Sequence, residues 1–273
     1  MGRNPQANLP ERAALAWCAV CNPCTRVSAI KIATWNLERP GIRQSIRGHA
    51  IQSTIERVGA DIWVLTESRV SLMPPVSYSS AHSRPHPDRR PDPDERWVSI
   101  WSRWQINSIW EDEWSVTVLV DLPQGELLIH GVVLPYMNEP GPAGLRVAGW
   151  SRFREELRQQ GNHWMQIRSQ YPALPVVVAG DLNQNLDSAR WYGSHETRRE
   201  LRQAIEAAGL KCLTDEDVVT CRKLRRNHLV DHVLATEGLV ATAGITCWEP
   251  TTSDGLRMSD HPGVAVQLAL ATI

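Results

Sequence analysis

The chain contains no apolar run approaching the roughly 20 residues that a bilayer-crossing helix requires. It has no excess of either charge, since 29 Lys and Arg against 30 Asp and Glu leave a net charge of −1. That balance argues against a broad surface for long duplex nucleic acid, because such binding depends on many cations neutralising phosphates; a locally positive cleft remains compatible with it. Cysteine is too sparse for a disulfide scaffold: Cys18, Cys21 and Cys24 crowd the N-terminus, and Cys212, Cys221 and Cys247 lie far downstream. The Cys-x-x-Cys-x-x-Cys run offers three thiols and no obvious fourth metal ligand, so an unstructured extension is the expected reading. A signal peptide is not expected either, because residues 13–20 form only a short apolar stretch with no small-residue cleavage site after it. Bulky Trp17 before Cys18 disfavours a lipoprotein, and a cytoplasmic protein is expected. Phenylalanine is nearly missing, with one Phe against 12 Trp, so tryptophan is expected to fill the core and strand faces.

Of the 273 residues, 1–28 read as a disordered leader and 29–273 as one domain, without internal repeat or interior linker. Residues 30–36 alternate as a strand. Ile42, Ile46, Ile51, Ile55 and Val58 recur at helical spacing, with Gly59 where a C-cap belongs. Residues 61–66 form a short apolar strand. Residues 71–96, rich in proline and charge, read as a long loop. Strands are expected at 97–101, 116–121, 126–134, 176–179, 229–235 and 263–269. Helices are expected near 150–167, weakened by Gly161, and at 197–208, stopped by Gly209. Hairpins mixed with strand–helix units predict two packed sheets covered by helices.

Five segments place acid, amide or histidine side chains at the ends of apolar strands, where a rigid sheet can position chemistry. They are Thr34-Trp35-Asn36-Leu37-Glu38, Val64-Leu65-Thr66-Glu67, Val178-Ala179-Gly180-Asp181-Leu182-Asn183, Leu229-Val230-Asp231-His232 and Ser259-Asp260-His261-Pro262-Gly263. Each alone is weak, since an acid at a strand end is commonly a turn former. Together they supply the oxygen ligands a hard cation such as Mg²⁺ prefers, from Glu67, Asp181, Asp260 and the Asn36 carbonyl. They also supply a carboxylate to take a proton, Asp181, and a histidine suited to acid, base or donor work near neutral pH, His261, with Asp231 to hold its ring. Phosphoryl transfer to water needs these parts.

In this order, the five segments resemble the endonuclease/exonuclease/phosphatase superfamily, which includes abasic-site endonucleases, pancreatic-type deoxyribonucleases, inositol polyphosphate 5-phosphatases and sphingomyelinases. The resemblance runs from about residue 30 to 270, and Gly-Asp-x-Asn and Ser-Asp-His are its most specific elements. It implies an α/β fold, a four-layer α/β/β/α sandwich of two packed mixed sheets flanked by helices. It implies a Mg²⁺-dependent (or Mn²⁺-dependent) hydrolase of phosphoesters, with a nuclease or other phosphodiesterase first and a phosphomonoesterase as the alternative. Carried over, Asn36 and Glu67 bind metal and Asp260 is a second metal or ordering carboxylate. Asp181 activates or positions water, Asn183 contacts phosphate, Asp231 pairs with His261, and His261 stabilises or protonates the transition state. One departure stands out. Related enzymes place Tyr or His on a middle strand just before a proline, whereas here Val132 and Val133 precede Leu134-Pro135. Tyr136 or Asn138 would then touch the substrate, and a catalytically weak binding relative becomes the alternative of another class.

Other residues weigh evenly between site and surface. Arg103, after Ser102, is a candidate substrate-binding or site-ordering cation, or a surface charge. Arg222, Lys223, Arg225 and Arg226 form a phosphate-attracting rim or a solvated turn. His82, His86, Arg84, Arg89 and Arg90 lie in the long loop, Glu38 and Arg39 beside the first segment. His130 and His232 are expected to be structural. The expected partner is a phosphoester substrate, nucleic acid among the candidates.

Overall fold

The alternation of residues 30–36 becomes β1 (Ile30–Asn36), which sends Ile30 and Ile32 to one face and Ala33 and Trp35 to the other. Both faces are covered, because β1 lies in the middle of a sheet. The protein is seen here in a computed structural model that describes residues 29–40, 45–72, 77–85, 92–141, 144–187, 191–215, 229–242 and 244–270. The N-terminal leader with its cysteines, the basic run at 222–226, and His86, Arg89 and Arg90 lie outside the described residues.

After β1 come α1 (Ile46–Val58), β2 (Ile62–Arg69), β3 (Ser79–His82), β4 (Glu95–Ser102), β5 (Ile106–Glu111), β6 (Ser115–Leu122) and β7 (Gly125–Val133). Then follow α2 (Ser151–Gln170), β8 (Val176–Asp181), α3 (His195–Ala207), β9 (Leu210–Cys212), β10 (Asp231–Thr236), β11 (Leu239–Ala241), β12 (Thr246–Trp248) and β13 (Gly263–Leu270). One sheet has the order β11-β13-β1-β2-β4-β3, with β12 also on β13; the other has the order β5-β6-β7-β8-β10-β9. Each is mixed, with a parallel pair, β1–β2 and β7–β8, among antiparallel ones.

The core clusters give the layers. Ile32, Val64 and Ile100 of the first sheet pack on Val118, Ile129 and Val177 of the second. Phe153, Leu157 and Trp164 of α2 and Leu201 and Ile205 of α3 cover the outer face of the second sheet. Ile51 and Ile55 of α1 cover the outer face of the first with Trp35, Trp63 and Trp101. The order is therefore α1, sheet, sheet, α2 with α3, the expected four-layer sandwich of two packed mixed sheets. A fully buried aliphatic side chain contributes ~1.5–3 kcal/mol, so Val64→Asp between the sheets would break this packing.

Local chemistry explains the helix ends. The Ser45 hydroxyl accepts from the Gly48 N–H at the start of α1, and Gly59, at φ 59°, closes it. Ser194 and Thr197 cap α3 reciprocally. Helix α2 runs straight through Gly161 and extends to Gln170, because its Phe153–Trp164 face is buried. The stretch 71–96 is not wholly a loop. Ser79–His82 pairs along β4 as an edge strand, an element without the apolar alternation by which strands are read. Among the described residues, no helix is long and apolar enough to cross a membrane.

Candidate active site

Register brings the motif ends together. Strands β1 and β2 are parallel, so Asn36 and Glu67 leave the first sheet at the same end. Strand β10 runs antiparallel to β8, which puts Asp231 directly opposite Asp181. Strand β13 runs antiparallel to β1, which returns the Ser-Asp-His turn to Asn36. The turn is stitched in place: the Ser259 hydroxyl donates to the Asn36 carbonyl at 2.6 Å, the His261 N–H donates to Ser259 Oγ at 3.0 Å, and Trp35 Nε1 donates to the His261 carbonyl at 2.8 Å.

The Gly-Asp-x-Asn element has a steric reason. Gly180 holds φ at 142°, and a Cβ there would lie 1.9 Å from the Val132 carbonyl oxygen. Only glycine lets β8 run this close to β7 immediately before Asp181. The Asp181 carboxylate accepts from the Asn183 N–H at 2.9 Å, from Asn183 Nδ2 at 3.0 Å and from Asn36 Nδ2 at 3.0 Å. This last bond joins the two sheets. Burial raises the Asp181 pKa, and the charge of Asp231 raises it further.

His261 Nδ1 donates to Asp231 Oδ2 at 2.6 Å, and its Nε2 lies 3.9 Å from Asp260 Oδ1. Burial works to strip the ring of its proton. The charges of Asp181 and Asp231, with the hydrogen bond to Asp231, outweigh it and hold the imidazole well above its ordinary pKa. Asp181, Asp231 and His261 each present one ligand-type atom, all within 4.8 Å of one another. With Nδ1 committed to Asp231, His261 has Nε2 as its second hydrogen-bonding edge.

Glu67 faces Asn36 Nδ2 at 3.3 Å and pairs with Arg39 at 3.1 Å; burial raises its pKa. The Arg39 guanidinium also sits 5.2 Å from the centre of the Trp97 ring, and Trp97 stacks on Trp114 at 5.0 Å. Glu38, Arg39, Glu67 and Asn183 all hold positive φ, at 50°, 47°, 45° and 49°. Backbone strain of this kind concentrates where the surrounding structure must fix a side chain.

The fit to a divalent cation can be tested on the donors present. Glu67 and Asp181 both resist ionisation through burial, and Asp231 Oδ1 is a buried oxygen without a hydrogen-bond partner among the described residues. Hard oxygen donors whose negative charge is incompletely balanced suit Mg²⁺ or Mn²⁺. The residues fit.

Not every candidate takes its expected place. Asn183 spends its amide hydrogens on Asp181 and on the Leu134 carbonyl at 2.8 Å, so it holds the carboxylate instead of reaching toward a phosphate. Asn36 turns its nitrogen to the carboxylates while its Oδ1, expected to face a metal, accepts from the Glu38 N–H, so here it orders carboxylates. Asn138 accepts from the Gly149 N–H at 2.7 Å and closes its own loop. Arg103 lies at the far end of the sheet. Strand β4 is antiparallel to β2, so residue 103 meets Asp61 and Tyr78 rather than Glu67. Tyr136 is 37% exposed and follows by two residues Leu134, whose carbonyl accepts from Asn183 Nδ2. His130 and His232 are buried among protein partners. Ser259, part of the Ser-Asp-His element but given no role of its own, holds the turn, and its place two residues before His261 is the signal of an ST-type turn.

Residues 148–265, which include Asp181, Asn183, Asp231 and His261, match the family described as an endonuclease-reverse transcriptase. No curated protein matches the chain. Among solved structures, an endonuclease/exonuclease/phosphatase from Beutenbergia cavernae DSM 12333 is 18% identical with a TM-score of 0.60, covering 89% of this chain and 72% of that one. The endonuclease domain of TRAS1, a telomere-specific non-LTR retrotransposon, is 16% identical with a TM-score of 0.57, covering 90% and 100%. TDP2 of D. rerio, complexed with a single-strand DNA product, is 14% identical with a TM-score of 0.61, covering 88% and 99%. At these identities the likeness is one of fold, and it bears out the two packed mixed sheets with flanking helices that the resemblance implied.

Proposed function

Because the chain has the endonuclease/exonuclease/phosphatase fold, we propose that it is a divalent-metal-dependent hydrolase of phosphodiester bonds, acting as a nuclease. The observation that carries this reading is the His261–Asp231 pair at 2.6 Å facing a buried Asp181, with Glu67 bridged to Asp181 through Asn36. The TRAS1 domain is an endonuclease, and the D. rerio TDP2 structure holds a DNA product, which supports nucleic acid as the substrate class.

Glu67, ordered by the Asn36 amide and with Asp260 on the far side of His261, would hold Mg²⁺ or Mn²⁺, which when bound would neutralise phosphate charge. Asp181 takes a proton from water as the water oxygen bonds to phosphorus, and the P–O bond to the leaving group breaks. Its raised proton affinity suits that task near neutral pH. Asn183 and Asn36 fix the carboxylate through three N–H donors. His261 keeps Nδ1 on Asp231 and turns Nε2–H toward the phosphoryl oxygens, where negative charge develops. Arg39 orders Glu67 from one side and is itself held against Trp97.

Hydrolysis of single-stranded and duplex DNA, RNA, a generic phosphodiester and a phosphomonoester, with and without Mg²⁺ or Mn²⁺, tests this. Metal-dependent cleavage of a phosphodiester, lost in Asp181→Ala and His261→Ala, is expected. Cleavage confined to the monoester would replace the reading with a phosphatase, and full activity in both variants would remove it.

A further inference from the structure

Two loops beside Asp181 carry exposed aromatic and apolar side chains. After β7 come Tyr136, 37% exposed, Met137, 45%, and Leu145, 66%; after β8 comes Trp191, 57% exposed. No other Trp among the described residues is so open, while Trp35, Trp63, Trp101 and Trp164 are fully buried. The loops form one wall. The Met137 N–H donates to the Tyr192 hydroxyl at 3.3 Å, and the Tyr192 ring lies 5.9 Å from Trp191 and 5.4 Å from Trp150. The wall is braced: Trp191 N–H donates to Asn185 Oδ1 and Asn185 N–H to the Tyr192 carbonyl, both at 2.9 Å. It is also continuous with the site. Leu134, two residues before Tyr136, donates its N–H to the Asp181 carbonyl at 2.9 Å and accepts from Asn183 Nδ2 at 2.8 Å, and Asn185, which holds Tyr192, follows Asn183 by two residues.

A contiguous exposed apolar patch calls for an occupant. The chemistry on both sides of this one narrows the choice. A phosphate-cleaving centre borders it, and exposed Arg146 on the first loop adds a cation for a backbone phosphate. Flat π-faces next to a bound phosphate suit a nucleobase, and stacking of this kind tolerates any base. Bases in a duplex already have both faces stacked. The balanced charge of the chain also lacks the cations that a long duplex requires.

We propose that the Tyr136–Trp191 wall holds an unpaired nucleobase beside the scissile phosphate and thereby directs the site to single-stranded nucleic acid. This rests on the phosphodiesterase reading above.

Fluorescence anisotropy on the full chain carrying His261→Ala separates the two ideas, with three labelled probes: a short single strand of thymidine, a strand of equal length and charge made of abasic residues, and a blunt duplex. The thymidine strand should bind roughly 10-fold more tightly than the abasic strand, the scale of one stacked base, and more tightly than the duplex. Adding Trp191→Ala should erase the base preference while leaving abasic affinity unchanged, and Trp191→Phe should retain most of it. Equal binding of the two strands, equal weakening of both by Trp191→Ala, preference for the duplex, or no binding at all would each overturn the wall. Wild-type hydrolysis is read separately. Cleavage without base preference leaves the hydrolase and removes the wall, and base-dependent binding without cleavage does the reverse.

Discussion

His130, enclosed beneath α2, and His261, largely enclosed at the strand ends, are both rings held by hydrogen bonds, and they end in opposite charge states. His130 lies between the Thr117 hydroxyl at 2.9 Å and Gln160 Oε1 at 3.0 Å, with His163 nearby. Burial first, and His163 second, push its pKa down to about 3, so it is neutral. His261 suffers the same burial, but Asp181 and Asp231 outweigh it and keep the ring charged. His232 follows His130: its contacts are the Gln184 carbonyl and Thr214, and burial lowers its pKa although Asp231 precedes it in the chain. Burial by itself silences a histidine, and facing carboxylates make it a charged donor.

Removing a carboxylate charge from beside His261 separates the two rings most strongly. Asp231→Asn leaves a group of the same shape beside His261 and should lower kcat/KM by ~10²–10⁴-fold, the usual weight of acid–base assistance. A fall no larger than that of His130→Ala would show that the two rings do not differ in role. Glu67→Gln should raise the Mg²⁺ concentration for half-maximal activity by at least ~10-fold, since even partners behind a metal ligand weigh that much. An unmoved metal titration would take Glu67 out of the cation's reach. His130→Ala should leave kcat/KM essentially unchanged and cost about 1–3 kcal/mol for each buried partner left unpaired, read by urea unfolding.

The smallest effect sharpens the silent side. Glu156 lies in the same network as His130, accepting from Gln160 Nε2 at 2.8 Å. Burial, aided by Asp112, raises its pKa from 4.5 to about 7. A carboxyl whose folded pKa is raised contributes its full stability below its ordinary value and loses it as pH climbs through the folded value. Stability from this group should therefore fall between pH 4.5 and about 7, by up to about 3 kcal/mol. Glu156→Gln should flatten that slope in a Tm–pH series; an identical slope in the variant would place the titration elsewhere.

Much of the site was legible because its residues sit at strand ends, and strands announce themselves by alternation. Asn36, Glu67, Asp181, Asp231 and His261 converge for that reason. Arg103 also sits at a strand end and weighed evenly between site and surface, and β4 carries it to the opposite edge. Alternation identifies the end of a strand but not the end of the sheet on which it falls. Asn36 was expected at a metal and Asn183 at a phosphate, and their amides hold carboxylates. Side-chain direction depends on neighbours that sequence spacing does not name. Ser79–His82 escaped notice because an edge strand needs no apolar face of its own.

Sequence alone was enough for most of the strands and all three helices, the C-cap at Gly59, the glycine before Asp181, and the acids that would stand at strand ends, because each depends on residues a few positions apart. Only the tertiary structure decided which of those ends meet and which histidine keeps its proton. Asn36 and Asp181 bond across 145 positions and His261 and Asp231 across 30. Charge in a buried ring is a sum over neighbours in space, and the packing of two sheets supplies those neighbours.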